Sequence, residues 1–394
     1  MQFPELKKKH SHIYKLEHFI SQNNVIIEQW IKQQKLSNPP VYSSIDIRNS
    51  GFKISPIDTN LFPSGFNNIC EISLEKATKY FLKYISSYFP GSQKIGVVSE
   101  QFTRNNNYYH HLEALFKSLT NTKLDIRLLT INDYNHYVNN LKIFSFVKYE
   151  TKIFTDDNWS PDLIILNNDF TKEIPNTLKN LTIPIVPSLN YTWYTRKKDF
   201  HYAAYNQLIK KFCLKFRFDP WLISTYYTKC INIDFKNKSG LLRLAKAVDN
   251  ILTKIQDKYR AYNIIKEPFA FVKANSGTFG RGIISVKDSQ TIINLNKKLR
   301  HSLNTIKNGV FNSEVIVQEG IPTIEKFKTY PAEHTIYSVG YTIIGNFTRY
   351  NIIKGIDNNL NSQGMLFSKG NKLSYIESLL SKLAVIAVSY EEKE

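Results

Sequence analysis

Four short apolar runs between residues 94 and 188 restrict the fold of this chain more than any other feature. KIGVVS (94–99), DIRLLTI (125–131), PDLIILNN (161–168) and IPIVPS (183–188) are long enough for strands and too apolar for strands with a wet face. After the first of them, Tyr108, Leu112, Leu115, Phe116 and Leu119 fall on one side of a helix. Strands alternating with helices predict a parallel sheet covered on both faces. Residues 13–36 read as one helix ended by Pro39 and Pro40, and residues 199–216, 240–259 and 375–388 as further helices. The C-terminal part alternates strands and turns, with strands expected at 315–318, 335–339, 341–344 and 347–353. The expected architecture is thus an α/β half followed by an α+β half.

At 394 residues the chain is long enough for two or three domains. Its 42% hydrophobic and 22% charged residues are ordinary for a globular protein. No apolar run approaches the ~18 residues of a membrane span, and the start, MQFPELKKKHSH, has no apolar stretch behind its charges as a secretory signal would. Cys70, Cys213 and Cys230 are odd in number and too widely spaced for a zinc pattern, so free thiols in a reducing cytoplasm are expected. The formal net charge is +19. Such a balance suits a nucleic-acid binder or an anion-handling enzyme. The basic residues are scattered, however, in short clusters such as Lys197–Lys198, and a general Lys/Asn/Ile/Tyr drift of the composition explains them equally, so nucleic acid is not the expected partner.

VKANSGTFGRGIISV (272–286) reads as a hairpin whose glycine-rich tip lies between two apolar runs. Gly277, Gly280 and Gly282 let backbone N–H groups approach a polyanion closely, while Lys273 and Arg281 add charge at either end. Ser276 and Thr278 add hydroxyls. This is a way to cover nucleotide phosphates without a P-loop, whose Gly-Lys-Ser/Thr ending is absent from the sequence. On this segment alone an ordinary glycine-rich hairpin reads the same.

Residues 41–70, VYSSIDIRNSGFKISPIDTNLFPSGFNNIC, differ in kind. They alternate apolar positions with Asp46, Arg48, Asn49, Lys53, Asp58, Asn60, Asn67 and Asn68, and Gly51, Pro56, Pro63 and Gly65 punctuate them as turns. A zwitterionic substrate gives each such charge a partner; an internal salt-bridge network does so too. Further on, VIVQEG (315–320) holds Gln318 and Glu319 at the end of a strand, and GIDNNLNSQG (355–364) holds Asp357, Asn359 and Asn361. Hard oxygen donors of this kind suit Mg²⁺, and Asp and Asn are also the ordinary residues of turns.

The order of these segments resembles the ATP-grasp superfamily, in which nucleotide lies between two α+β lobes. More specifically, DIRNSGFKISPIDTNLFPSGFNN, DPWLIS (219–224), the VKANSGTFGRGI loop, VIVQEG and DNNLNSQGM resemble the proteobacterial, ATP-grasp-like type of glutamate–cysteine ligase from about Tyr42 onward. The resemblance implies a substrate-side α/β domain at 1–200 and an ATP-grasp-like nucleotide-binding region at 201–394, with a lid hairpin at 268–286. It implies ATP and Mg²⁺, and as substrates L-glutamate and L-cysteine, joined through a γ-glutamyl phosphate. Lys273 and Arg281 would then act on the phosphates, with Ser276, Gly277, Thr278, Gly280, Gly282, Gln318 and Glu319 completing the ATP site. Asp46, Arg48, Asn49, Lys53, Asp58, Asn60, Asn67 and Asn68 would hold the amino acids, and Glu333, Asp357 and Asn359 the metal. The pattern departs from the family at Asn275, Gly340 and Asn358, where an acid is usual. A ligase with another acceptor amino acid, or a non-catalytic basic binding protein, fits the same residues.

Overall fold

The structure is a computed structural model that describes residues 11–100, 106–138, 140–170, 173–192, 195–276, 282–304 and 312–391. The apolar runs form a mixed, mostly parallel sheet of β3 (Lys94–Ser99), β4 (Asp125–Thr130), β5 (His136–Val138), β6 (Leu141–Ser145), β9 (Leu163–Asn167) and β10 (Ile185–Val186), in the order β10–β9–β3–β4–β6–β5. All five residues of β9 and five of the six in β3 are buried, the mark of strands covered on both faces. Helices α3 (Glu71–Tyr88) and α4 (Asn106–Thr120) cover one face, and their Phe81, Leu112, Leu115 and Leu119 share a core with Val97 and Ile165. Because β3 pairs with β4 on one side and β9 on the other, the chain changes direction across the sheet between β3 and β9. A short ribbon of β7 (Val147–Tyr149) and β8 (Lys152–Phe154) stands beside this sheet.

A second sheet joins the two ends of the chain. β1 (Tyr42–Asn49) and β2 (Ile54–Asn60) pair antiparallel, and β1 also pairs with β16 (Tyr330–Val339). β17 (Thr342–Asn351) and β18 (Met365–Lys369) extend it, and β15 (Lys326–Phe327) lies on β16. The hydrogen-bonded sheets therefore do not follow a division of the chain at residue 200. The segment expected as strands 341–344 and 347–353 is the single strand β17. Its Gly345 is no turn: a Cβ there would stand 2.3 Å from Ser73 Oγ of α3, so glycine allows the helix to approach.

The third sheet, ordered β11–β14–β12–β13, consists of β11 (Tyr227–Cys230), β12 (Ala270–Ala274), β13 (Ile284–Val286) and β14 (Val315–Glu319). β12 and β13 are the expected hairpin, Ala270 opposite Val286, although residues 277–281 of its tip lie outside the described residues. The stretch 13–36 is two helices, α1 (His12–Gln22) and α2 (Asn24–Gln34), which break at Asn23, whose side chain donates to the Phe19 carbonyl. Helices α5 (Lys198–Phe216), α6 (Leu241–Ala261), α7 (Gln290–Ile293) and α8 (Lys297–Asn304) follow in the chain; α5 packs on β11, and α6 on β11, β12 and β14. The last helix, α9 (Tyr375–Glu391), is apolar nearly all round and packs its Leu379, Leu380 and Leu383 in one core with Ile45, Ile47 and Ile336.

Candidate active site

Strand alternation builds the site. In β1, Ile45 and Ile47 face α9, so Ser44, Asp46 and Arg48 face the other way. Residues of neighbouring strands stand beside them on that face. Phe347, Thr335, Asp46 and Asp58 are paired in a row across β17, β16, β1 and β2, and the next row sets Arg349 opposite Glu333.

The charges on this face are buried and satisfy one another. Arg48 Nε donates to Glu333 Oε2 (2.7 Å), and Arg349 Nη1 donates to Glu333 Oε1 (2.8 Å) and Asp46 Oδ2 (2.9 Å). The Thr335 hydroxyl donates to Asp46 Oδ1. Two acids thus face two guanidiniums. Burial alone would raise the Glu333 pKa, but Arg48 and Arg349 outweigh it and hold the carboxyl below its usual range. For Asp46, burial wins and the pKa is raised despite Arg349. Arg349 Nε, itself buried, has no hydrogen-bond partner among the described residues.

Two cavities open on this face. The smaller, about 50 Å³, lies between the second and third sheets. Asp46, Arg48, Asp58, Glu333, Arg349, Asn359 and Asn361 line one side, and Phe271, Lys273, Ile283 and Gln318 the other. Lys273 donates to the Ile57 carbonyl (2.9 Å) and the Tyr202 hydroxyl (3.3 Å); burial lowers its pKa to about 7 even with Asp58 nearby. Gln318 Nε2 is buried without a partner among the described residues. The larger cavity, about 570 Å³, runs from the second sheet to the carboxyl ends of β3 and β9. Asn60, Asn67 and Asn68 line it, as do Arg196, Tyr337 and Phe347. Asp58, Lys198, Arg349 and Asn361 line both cavities, so the two meet at one wall. Lys198 Nζ donates to Asp58 Oδ1 at 2.6 Å. Burial would raise the Asp58 pKa, but Lys198 and Lys273 hold it well below the carboxylate range.

Other expected site residues stand away from both cavities. Lys53 Nζ lies 3.1 Å from Glu319 Oε2 and donates to the Trp221 carbonyl, while Glu319 accepts from Trp221 Nε1 and the Tyr226 amide. Both side chains are 1% exposed. In this arrangement Glu319 is committed to protein partners rather than presented to a ribose, and Lys53 to Glu319 rather than to an amino acid. Replacing Lys53 by Met leaves that carboxylate buried and unpaired, and should destabilise the protein by about 3–5 kcal/mol. Urea unfolding measures it, and an unchanged midpoint would mean that the pair contributes nothing.

Asn49 donates to Glu325 Oε1 (2.7 Å) and caps the turn at Gly51. Ser276 accepts from Lys197 Nζ, and Gly282 has φ of +66°. Asp357 lines neither cavity, and Asn359 Oδ1 accepts from the Asn361 amide, the geometry of an Asx turn. Gly277, Thr278, Gly280 and Arg281 lie outside the described residues.

The departures from the family pattern have separate settings. Asn275 donates to Asp199 and Glu314, Gly340 makes the left-handed turn between β16 and β17 (φ +53°), and the Asn358 carbonyl accepts from Arg48. Sequence reasoning missed Arg196, Lys198 and Arg349. The signal for Arg349 was its place two positions from Phe347 inside the expected strand 347–353, which puts both on one face.

The two cavities thus meet at a wall of charged and amide side chains, Asp58, Lys198, Arg349 and Asn361. The chain belongs to the glutamate–cysteine ligase family, ATP-dependent carboxylate–amine ligases: the GshA family profile matches residues 17–383. A crystal structure from Methylobacillus flagellatus KT, provisionally named a gamma-glutamylcysteine synthetase, is 30% identical, covers 96% of each chain and superimposes with a TM-score of 0.88. D-alanyl-alanine synthetase A from Vibrio cholerae is 11% identical over 76% of this chain and 81% of its own, with a TM-score of 0.36, a similarity that carries no argument. No curated protein matches. Among the described residues, no helix is long and apolar enough to cross a membrane and no three His, Cys, Asp or Glu residues cluster to hold a metal ion.

Proposed function

We propose that the chain joins the γ-carboxylate of L-glutamate to the amine of L-cysteine at the expense of ATP, forming γ-glutamylcysteine, ADP and phosphate. One observation carries the division of labour: the two cavities share the wall of Asp58, Lys198, Arg349 and Asn361. A carboxylate is a poor electrophile and must become an acyl phosphate before an amine can displace phosphate from it. The phosphates and the amino acids must therefore meet at one place, and the shared wall is that place. The smaller cavity, with Lys273 and the Gln318 amide on its wall, takes the reacting end of ATP between two facing sheets, an ATP-grasp-like arrangement. The larger cavity takes the amino acids.

Phosphoryl transfer is catalysed mainly by positioning and charge neutralisation. Lys273 and Arg349 supply positive charge from opposite sides, and Lys198 adds it at the junction. Glu333, Asn359 and Asn361 offer hard oxygens at the smaller cavity, a donor set that fits Mg²⁺. Each Glu333 oxygen already accepts a guanidinium N–H, but a carboxylate has about four lone-pair sites. Bound there, the ion would neutralise charge on the transferring phosphoryl group. The acyl phosphate is labile to water, so the reaction needs water kept from the shared wall. Three cysteines without disulfides suit a cytoplasmic setting.

The test is ADP release by the purified protein with ATP, Mg²⁺, glutamate and a panel of amino acids. Turnover should require glutamate and be fastest with cysteine. A faster reaction with another acceptor would reassign the acceptor, and no glutamate-dependent turnover would overturn the reading.

A further inference from the structure

Helix α5 begins at the shared wall, and its cap comes from another element. The first backbone N–H groups of a helix have no partner within it. Lys197, which precedes the helix, makes no side-chain capping bond. Asn275, directly after β12, supplies two acceptors instead. Its carbonyl accepts from the Lys198 amide (2.8 Å), and its Oδ1 accepts from the Asp199 amide (3.0 Å). Asn275 is fully buried, and its remaining polar atoms are engaged as well. Its backbone N–H donates to the Glu314 carbonyl (3.0 Å), and its Nδ2 to Asp199 Oδ1 (2.7 Å) and Glu314 Oε2 (3.3 Å). The next residue, Ser276, pairs with Lys197 in an antiparallel bridge. One residue thus ties the end of β12 and the entry to β14 to the start of α5.

An amide suits this place and a carboxylate does not. Lys229 Nζ stands 3.1 Å from Asp199 Oδ2, and Lys197 Nζ 3.4 Å from Glu314 Oε2, so two acids already face two ammonium groups. A third acid would be unbalanced there and would have no N–H to donate to the other two. Lys198 and Lys273 lie on the elements so joined. Lys273 is two residues before Asn275, Lys198 opens α5, and both line the smaller cavity. They converge on consecutive residues of β2: Lys273 donates to the Ile57 carbonyl and Lys198 to Asp58 Oδ1.

We infer that Asn275 is a positioning residue, which fixes the ammonium groups of Lys198 and Lys273 relative to one another where the phosphates of ATP react. The inference rests on the ligase reading above. Asn275 lines neither cavity, so it acts through the two lysines. Phosphoryl transfer depends on where charge is placed, and a shift of the α5 start against β12 moves one ammonium away from the other.

The experiment measures binding of ATP with Mg²⁺ by calorimetry, and kcat/KM for ATP in ADP release, well below the unfolding temperature of each variant. Asn275→Ala removes the side-chain bonds without adding charge. It should raise the Kd for ATP and lower kcat/KM about tenfold each, the effect of one charge-assisted hydrogen bond. Asn275→Asp keeps the shape but sets three carboxylates together, and should be impaired at least as much. Exchanging the pair, Asn275→Asp with Asp199→Asn, restores the charge count and an amide-to-carboxylate bond, and should bring ATP binding back to within about threefold of wild type. Should Asn275→Ala fail to fold, as thermal unfolding will show, Asn275→Asp and the exchange decide. Folded single variants that bind and use ATP as wild type does, or an exchange no better than Asn275→Asp, overturn the inference. A wild type that binds ATP without glutamate-dependent turnover overturns instead the ligase reading, and the calorimetric comparison then still decides the role of Asn275.

Discussion

Lys273→Ala lowers kcat/KM for ATP about ten- to a hundredfold in a folded protein. A hydrogen bond from a charged donor is worth about 1.5–3 kcal/mol, and about 1.4 kcal/mol is tenfold in rate. The side chain is on the wall of the smaller cavity, on the opposite sheet from Arg48 and Arg349, and among the described residues no other one of the third sheet's lining is cationic. Its titration adds a second readout. Burial lowers the pKa to about 7 in the empty protein, so the ammonium is lost as pH rises through that value. Phosphate oxygens favour the charged form, so ATP binding above pH 7 should take up a proton. Calorimetry in two buffers of different ionisation heat detects that proton in wild type and finds it missing in Lys273→Ala. Normal turnover by the variant, with no buffer dependence in wild type, would make Lys273 a structural donor to Ile57 and Tyr202.

The second large effect is expected at Glu333. Glu333→Gln leaves Arg48 and Arg349 with Asp46 as the remaining acid of the quartet, and breaking a buried pair of this kind costs about 3–5 kcal/mol. The loss should appear as a lower midpoint in urea, and ADP release by the folded fraction should nearly vanish at every magnesium concentration. The linkage has a definite sign. The carboxyl's pKa lies below its unfolded value, so its stabilisation is complete above the ordinary glutamate range near 4.3 and is lost on further acidification. Asp357→Asn should behave as wild type throughout the same titration, because Asp357 lines neither cavity. A magnesium-dependent defect in Asp357→Asn with an intact Glu333→Gln would move the metal to Asp357.

Much of the fold was legible because the relevant signals are local. KIGVVS is β3 with the expected bounds, and the other three apolar runs are strands shortened at their ends. The glycine-rich hairpin pairs as its two apolar runs require. The helix at 13–36 and the strand at 342–351 were misread at single residues, Asn23 and Gly345. Asn23 breaks a helix through its own side chain; Gly345 continues a strand because Ser73 of a helix far along the chain packs onto it. No local pattern separates these two cases.

The site divides in the same way. The sequence by itself determined that residues 41–70 alternate apolar and polar positions, so that Asp46 and Arg48 share a face, and that Lys273 sits at the end of a buried strand. These follow from a period of two and from glycine punctuation. Only the tertiary structure decided which charges meet a cavity and which meet each other. Lys53 reads in sequence like Arg48, yet it is enclosed with Glu319, whereas Arg48 reaches the smaller cavity beside Glu333, 285 residues away. Lys198 and Arg349 carried no motif and became the wall common to both cavities. The reason is physical: a buried charge is settled by whichever opposite charge sheet register and helix packing bring within about 3 Å. That register joins residues 42–60 to residues 330–369, and no spacing along the chain records it.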